Sequence, residues 1–430
     1  MVFSEPPHLC SADPDFFEPA FDGRLQRQLI SESSQRTEIK RFRYRVGRKS
    51  SGLGRYSILE PELSKILSDT PVVVERMKKD YPSQTGPRLC FVGSMLGRNP
   101  GYITTQSQIL SDLFKDVGYQ VISVSAKLNP YLRLAEVVST LIRRRREIDI
   151  LMLDIYSGRS FVLEDIASWL GRRFGHRIVM VLHGGAMPEF MARHPKWTRR
   201  VLDRADLIVA PSPYLARAIA PLGYQAHIIP NVIDLCEYSY QHRRKLRPRL
   251  FWMRSFHPIY NPEMAIRVLA RLRQEIPEAT LVMAGTDKGL AQEIRERADD
   301  LGLNGAVRFV GFLDMAGKAR EGSTSDIFIN TNRIDNTPVT VLEACAMGLP
   351  VVCTNVGGLA DLLKHEETGL LVSDDDDEAM AEAIRRLIDD PKLAEHLSAN
   401  GRRLAERFAW EKVKSQWEQV FAKLMEKSTQ

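Results

Sequence analysis

The chain has 430 residues and a mass of 48.8 kDa, more than one hydrophobic core normally serves, so two or three domains are expected and a single small binding module is excluded. Hydrophobic (44%), charged (27%) and aromatic (8%) fractions are those of an average globular protein, which excludes a collagen-like, coiled-coil or mainly disordered chain. The net charge of +6 hides a division: residues 1–249 carry 38 basic against 25 acidic side chains, the remainder 22 against 29.

Residues 1–85 mix Pro, Ser and charge with little periodicity, and Lys40–Arg55 (KRFRYRVGRKSSGLGR) is basic with Gly and Ser, which reads as a loosely packed N-terminal extension. Its interleaved arginines and aromatics suit an anionic surface. No RNP, helix-turn-helix or zinc-finger pattern accompanies them, so no nucleic-acid partner is expected. Glu5, Asp13 and Asp15 are unlike the basic and apolar start of a secretory signal. The longest uncharged stretch, Ala344–Ala360, is broken by Gly348, Pro350, Gly357 and Gly358, so no membrane helix is expected and the expected location is the cytoplasm.

From Arg88 the pattern alternates. Strand LCFVGS, a helix through SQILSDLFKDV, strand QVISVSA, a helix at about 132–146, strand IDILMLDI, a helix at 162–173, strand RIVMVLH, a helix around 195–203 and strand ADLIVAPS follow in order. After the basic link QHRRKLRPR comes a second series: strand LFWM, helix 261–276, strand ATLVMAG, helix 288–301, strands VRFVGF and DIFINT, helix 339–347 and strand PVVCT. Strands apolar throughout, alternating with helices, predict parallel sheets covered on both faces. The fold class is therefore α/β, with two Rossmann-like doubly wound domains, 86–245 and 246–408, facing across a cleft. A further helix is expected within 409–430. Ligands of such sheets bind at the carboxyl ends of the strands.

The basic runs Arg143–Arg146, Arg172, Arg173, Arg199, Arg200 and Arg243–Lys245 read either as solvated helix ends, where cations favour the C-terminal dipole, or as a contact for an anionic partner. The five cysteines show no CxxC spacing and the nine histidines no HExxH pair, so neither a disulfide framework nor a metal site is expected.

The informative segment is DIFINTNRIDNTPVTVLEACAMGLPVVCTNVGG. Asp335 and Glu343 stand with seven residues between them, and Pro338 marks a helix start that leaves the N–H groups of Val339, Thr340 and Val341 suited to an anion such as a diphosphate. Two acids at this spacing, taken alone, equally describe an N-cap and a surface charge. In context the segment resembles the signature of the family 4 glycosyltransferases, retaining enzymes of GT-B fold, also called glycosyl transferases group 1. The resemblance runs through Asp335, Glu343, Ala344, Ala346, Gly348, Pro350, Val351, Val352, Thr354, Gly357 and Gly358. PNVID at 230–234, Arg254, AGTDKG at 284–289 and VRFVGF at 307–312 follow the family order.

The resemblance implies a nucleotide-sugar donor bound on 246–408, an acceptor bound on 86–245 and a helix within 409–430 that crosses back to the first domain. It gives Glu343 the donor ribose, Asp335 the transferred sugar's hydroxyls, Arg254 the diphosphate, and His183, in VLHGG, a place facing the transferred sugar. Gly101, in the first strand-to-helix turn, lets the donor approach the backbone. Catalytic roles fall to His183, Arg254 and Asp335, and donor binding to Gly101, Arg254, Lys288, Asp335, Val339, Thr340 and Glu343. Two departures stand out. The first acid is Asp where the family often has Glu, and the lysine expected near Ile259 is replaced by Tyr260 and Asn261, with Lys288 as a substitute cation. The resemblance implies metal-independent sugar transfer to a glycan, lipid-linked or small-molecule acceptor and no cofactor beyond the donor, while the basic excess of residues 1–249 suits peripheral association at an anionic membrane. The alternatives are a nucleotide-sugar epimerase on the same scaffold and a catalytically decayed nucleotide-sugar-binding protein.

Overall fold

The computed structural model describes residues 86–99, 102 and 104–426; the expected N-terminal extension and Gly101 lie outside them. The first domain holds β1 (Leu89–Val92), β2 (Val121–Val124), β3 (Ile150–Ile155), β4 (Arg177–Leu182), β5 (Leu207–Ala210) and β6 (His227–Ile228), all parallel, in the order β2-β1-β3-β4-β5-β6. Strand β3 is buried along its whole length and β4 along all but Arg177, because helices cover both faces. Those helices are α1 (Gln106–Asp116), α2 (Pro130–Arg143), α3 (Phe161–Arg173), α4 (Met187–Arg193), α5 (Pro195–Leu202) and α6 (Pro213–Ile219). Thr105, Asn129 and Ser212 cap α1, α2 and α6 by accepting from N–H groups of the first turn.

The second domain holds β7 (Arg249–Met253), β8 (Thr280–Ala284), β9 (Val307–Gly311), β10 (Ile327–Asn330), β11 (Val351–Thr354) and β12 (Leu370–Val372), parallel in the order β12-β11-β10-β7-β8-β9. Its helices are α7 (Pro262–Glu275), α8 (Ala291–Asp300), α9 (Met315–Thr324), α10 (Val339–Ala346), α11 (Leu359–Leu362), α12 (Asp377–Asp389) and α13 (Pro391–Glu406). The chain reverses its winding between β1 and β3 in one sheet and between β7 and β10 in the other, and those two switch points are where such sheets bind ligands.

The structure differs from the sequence reading at α9. The sequence was read as passing from strand VRFVGF straight to strand DIFINT, but parallel strands need a crossover, and α9 is that crossover. Gly317 and Gly322 lower the helix propensity of MAGKAREGST. Gly322 is there for packing: a Cβ on it would lie 2.2 Å from Met347 Sδ. Helices α4, α6, α11, α12 and α13 and strands β6 and β12 are likewise not among the elements expected from the sequence.

A last helix, α14 (Trp410–Glu426), returns to the first domain. Its Val413, Trp417, Val420, Phe421 and Leu424 are buried with Leu89, Phe91, Phe114 and Ile150 on one face of the first sheet. Phe114 sits at the centre, 5.0 Å from the Trp410 ring and 5.3 Å from Phe421. The two passages between domains run side by side: Ile233 donates its N–H to Phe408 C=O at 3.0 Å, and Gln106 holds Val232 at both its N–H and C=O.

The basic runs divide. Arg143–Arg146 are exposed at the end of α2, and Arg144 pairs with Glu147 at 2.6 Å. Arg243 is neither solvated nor a contact for a partner: it is buried, and its guanidinium donates to the carbonyls of Gln241, Met347, Gly322 and Ser325, locking the linker onto the second domain. A residue flanked by His242, Arg244 and Lys245 looked exposed only because sequence shows charge without showing enclosure.

Candidate active site

Arg254 is the first residue after β7 and Asp335 lies in the loop after β10, so the two flank the second domain's switch point. Their side chains form an ion pair, Arg254 Nη2 to Asp335 Oδ2. Backbone fixes both. Arg254 N–H donates to Ala284 C=O at 3.0 Å, and Gly285 lies so close that a Cβ on it would sit 1.7 Å from the Arg254 carbonyl oxygen. Asp335 Oδ2 also accepts from Asn332 Nδ2 (2.6 Å) and Oδ1 from Asn336 N–H (2.8 Å). The glycine pair of the signature is the floor of this loop: a Cβ on Gly357 would lie 2.2 Å from Asp335 O, and one on Gly358 2.0 Å from Asn336 O.

The Arg254 guanidinium lies over the Tyr260 ring, 4.4 Å from its centroid, so the residue found where the family's lysine falls supports the arginine from beneath. Burial pushes the Arg254 pKa down, and Tyr260 and Glu343 draw it back up. Glu343, in the second turn of α10, is buried; its Oε1 accepts from Lys318 Nζ and from Tyr238 Oη, each at 2.8 Å. Burial, with Glu343 beside it, holds the Tyr238 phenol far above its ordinary range. At the start of α10, Val341 N–H turns back to Pro338 C=O at 3.1 Å, so of the three N–H groups expected to face an anion this one is already used. Those of Val339 and Thr340 are the first of the helix and have no intrahelical partner.

Buried polar atoms without a hydrogen-bond partner gather here: Arg254 Nε, Asn330 Nδ2, Asn332 Oδ1, Thr337 Oγ1, Thr340 Oγ1 and Glu343 Oε2. Such an atom costs about 1–3 kcal/mol, and folded proteins leave few. A polar ligand seated at this switch point would give them partners.

From the first domain, His183 follows β4, is buried, and brings Nε2 to 3.1 Å from Asp154 Oδ1. Two residues on, Gly185 meets the other domain: a Cβ on it would lie 3.3 Å from Asp335 Cα. Ser212 Oγ bonds Asn336 Oδ1, and Asn231 Nδ2 donates to Thr337 C=O at 3.3 Å. His183, Arg254 and Asp335 thus lie where the two domains meet. Lys288 is exposed in the turn after β8, and its charge helps lower the pKa of His257, which burial lowers most.

Sequence reasoning missed Lys318, Tyr238 and Asp154. Lys318 went unseen with its helix, although Asp314, which caps α9 by accepting from Gly317 N–H at 2.8 Å, marks the start. The arrangement as a whole presents a guanidinium and a helix N-terminus to an anion, beside two carboxylates suited to hydroxyl groups.

Two doubly wound sheets in contact, with an acid, seven residues and an acid around one switch point, define a GT-B glycosyltransferase scaffold. Residues 103–237 match the family described as Glycosyltransferase Family 4 and residues 241–404 the one described as Glycosyl transferases group 1, and the chain belongs to this family. It is 30% identical over 213 residues to a D-inositol 3-phosphate glycosyltransferase of Jonesia denitrificans, covering 47% of this chain and 50% of that protein. It is 25% identical over 246 residues to a GDP-mannose-dependent alpha-(1-6)-phosphatidylinositol monomannoside mannosyltransferase of Mycobacterium tuberculosis, covering 53% and 62%. The chain spans about half the length of the curated relatives it matches. Among solved structures, sucrose-phosphate synthase from Thermosynechococcus elongatus superposes with a TM-score of 0.65 at 19% identity, covering 79% of this chain and 99% of that one. Anabaena HepE, in complex with UDP and glucose, gives 0.62 at 19% identity, covering 78% and 100%. These likenesses show the shared fold.

Proposed function

We propose that the protein transfers a sugar from a nucleotide-diphosphate sugar to an acceptor hydroxyl with retention of anomeric configuration. The observation that carries this reading is the cluster of partnerless buried polar atoms around the Arg254–Asp335 pair and the start of α10. Glu343, steadied by Lys318 and Tyr238, takes the ribose through its free Oε2. The diphosphate lies against Arg254 and the N–H groups of Val339 and Thr340, with Lys288 as a further cation, and Asp335 binds hydroxyls of the transferred sugar while His183 faces it from the first domain. As the bond from the sugar's anomeric carbon to the phosphate oxygen breaks, Arg254 and the helix start stabilise the leaving charge. The acceptor oxygen bonds the same face of that carbon and its proton passes to the leaving phosphate oxygen, so no metal ion and no protein nucleophile is required.

The first domain holds the acceptor in this reading. Tyr131 and Leu132 on α2 are 80% and 59% exposed, and Arg143, Arg145 and Arg146 follow at its end. Exposed apolar side chains at the start of this helix and cations at its far end suit a lipid-carried acceptor at an anionic membrane, and the full chain should then float with anionic but not neutral vesicles at low salt.

The test is a screen of UDP-glucose and GDP-mannose with inositol phosphate and glycan acceptors, reading nucleoside diphosphate release in excess EDTA. Acceptor-dependent release is expected. Thermal stabilisation without release supports the decayed binding protein, and loss in EDTA restored by magnesium or manganese overturns metal independence.

A further inference from the structure

The first domain's switch point carries a polar cluster that the proposed chemistry leaves unused. Asp154, on β3, is 2% exposed. Its Oδ1 lies 3.1 Å from His183 Nε2 and accepts from Ser107 Oγ on α1, while Oδ2 has no hydrogen-bond partner. Gly93, after β1, makes room for it: a Cβ there would come within 2.3 Å of Oδ2. Side chains from α1 and from the end of β4 therefore converge on one carboxylate, beside a glycine at the end of β1 and with one oxygen left partnerless.

A carboxylate only accepts, so the imidazole hydrogen is drawn to Nε2 and Nδ1 is left bare. The ring is also held in plane, stacked on Tyr156 at 4.9 Å between centroids and 17° between planes. Burial, with Asp154 and Glu164 nearby, keeps the Tyr156 phenol protonated, and burial holds Glu164 well above the usual carboxylate range, so these neighbours offer His183 no competing charge.

We propose that Asp154 is a positioning residue for His183. It fixes the tautomer that presents bare Nδ1 as an acceptor to a hydroxyl of the transferred sugar, and it sets a buried negative charge behind the ring, on the first-domain side of the centre that turns positive as the glycosidic bond breaks. This rests on the reading of His183 as facing that sugar, which the approach of Gly185 to Asp335 supports.

The experiment begins with the unaltered full chain, because the tautomer is visible without catalysis. Nitrogen-15 spectra of the imidazoles, with the His183 signal assigned by its loss in His183→Gln, should show a protonated Nε2 and a bare Nδ1 at pH 7.5. A protonated Nδ1, or an even mixture, overturns the proposal. Asp154→Asn should release the tautomer and lower kcat by about ten- to a hundredfold with whichever of UDP-glucose or GDP-mannose turns over. Affinity for UDP or GDP by calorimetry should stay within about twofold of the parent, since the nucleotide site lies on the other domain. Ser107→Ala, which keeps the carboxylate, should keep the tautomer and most of kcat. Loss of nucleotide affinity and melting temperature in step with kcat would mark Asp154 as merely structural and overturn the proposal. If neither donor turns over, the proposed function fails, while the spectra still decide the Asp154–His183 assignment.

Discussion

The two domains repeat one architecture and put opposite chemistry at their switch points. At the second, a charged pair and a helix start surround partnerless polar atoms, and glycines press loop against loop to hold Asp335. At the first, one buried carboxylate is paired with a histidine whose ring stacks on Tyr156. Their cores are completed differently as well. The second domain builds its core from residues between 233 and 408, whereas one face of the first is completed by α14 from the end of the chain. A donor carrying phosphates needs charge at the rim, and a sugar turning positive needs it withheld behind one. The same topology serves both because the strand ends are open to any side chain.

The largest effect should separate the two cores. Trp417→Ala empties the centre of the α14 contact and should cost about 3–5 kcal/mol of first-domain stability. Calorimetry should show an earlier transition for that domain, with UDP or GDP affinity unchanged below it. An unaltered melting profile would mean that α14 is dispensable to the first core.

Next come the two acids of the second rim. Glu343→Gln should weaken UDP or GDP and intact donor alike, since both carry ribose, whereas Asp335→Asn should spare the nucleotide and impair only the sugar-bearing donor. A charged hydrogen bond lost at either site is worth about 1.5–3 kcal/mol, or roughly ten- to a hundredfold in kcat/KM. Titration calorimetry with nucleotide and with donor distinguishes them, and equal defects for both variants would dissolve the division of roles.

A smaller change is expected beneath the arginine. Tyr260→Leu removes the ring under Arg254, worth about 0.5–2 kcal/mol. It should raise the KM for donor more than it lowers kcat, and parental kinetics would reduce the stack to packing.

The smallest effect concerns Glu164. Its folded pKa is raised by burial, so its contribution to stability is greatest below the unfolded value of about 4.3 and declines as pH climbs from there toward the folded value. Glu164→Gln escapes that decline, because a neutral amide does not ionise and so never has to bury a charge. The variant should melt a few degrees above the parent at pH 7 and together with it below about pH 4. A lower melting point at neutral pH would show that the charge is used.

The strands, their parallel alternation and the signature around Asp335 and Glu343 were written in local terms: apolar runs, a proline at a helix start, and glycines where backbone meets backbone. Each depends on residues a few positions apart, and linear order preserves such spacing. Arg254 and His183 were singled out because the motifs around them match the family's order, and a motif is also a local fact. Lys318 and Tyr238 reach Glu343 across 25 and 105 residues, and His183 reaches Asp154 across 29. Those contacts exist only because crossovers bring separate strand ends to one rim. The enclosure of Arg243 and the return of Trp417 to the first core are of the same kind. Sequence alone determined which side chains stand at the strand ends and which turns demand glycine. Only the tertiary structure decided which charges meet, which are buried and which polar atoms lack partners, because burial and pairing belong to surfaces that exist once the sheets have closed against their helices.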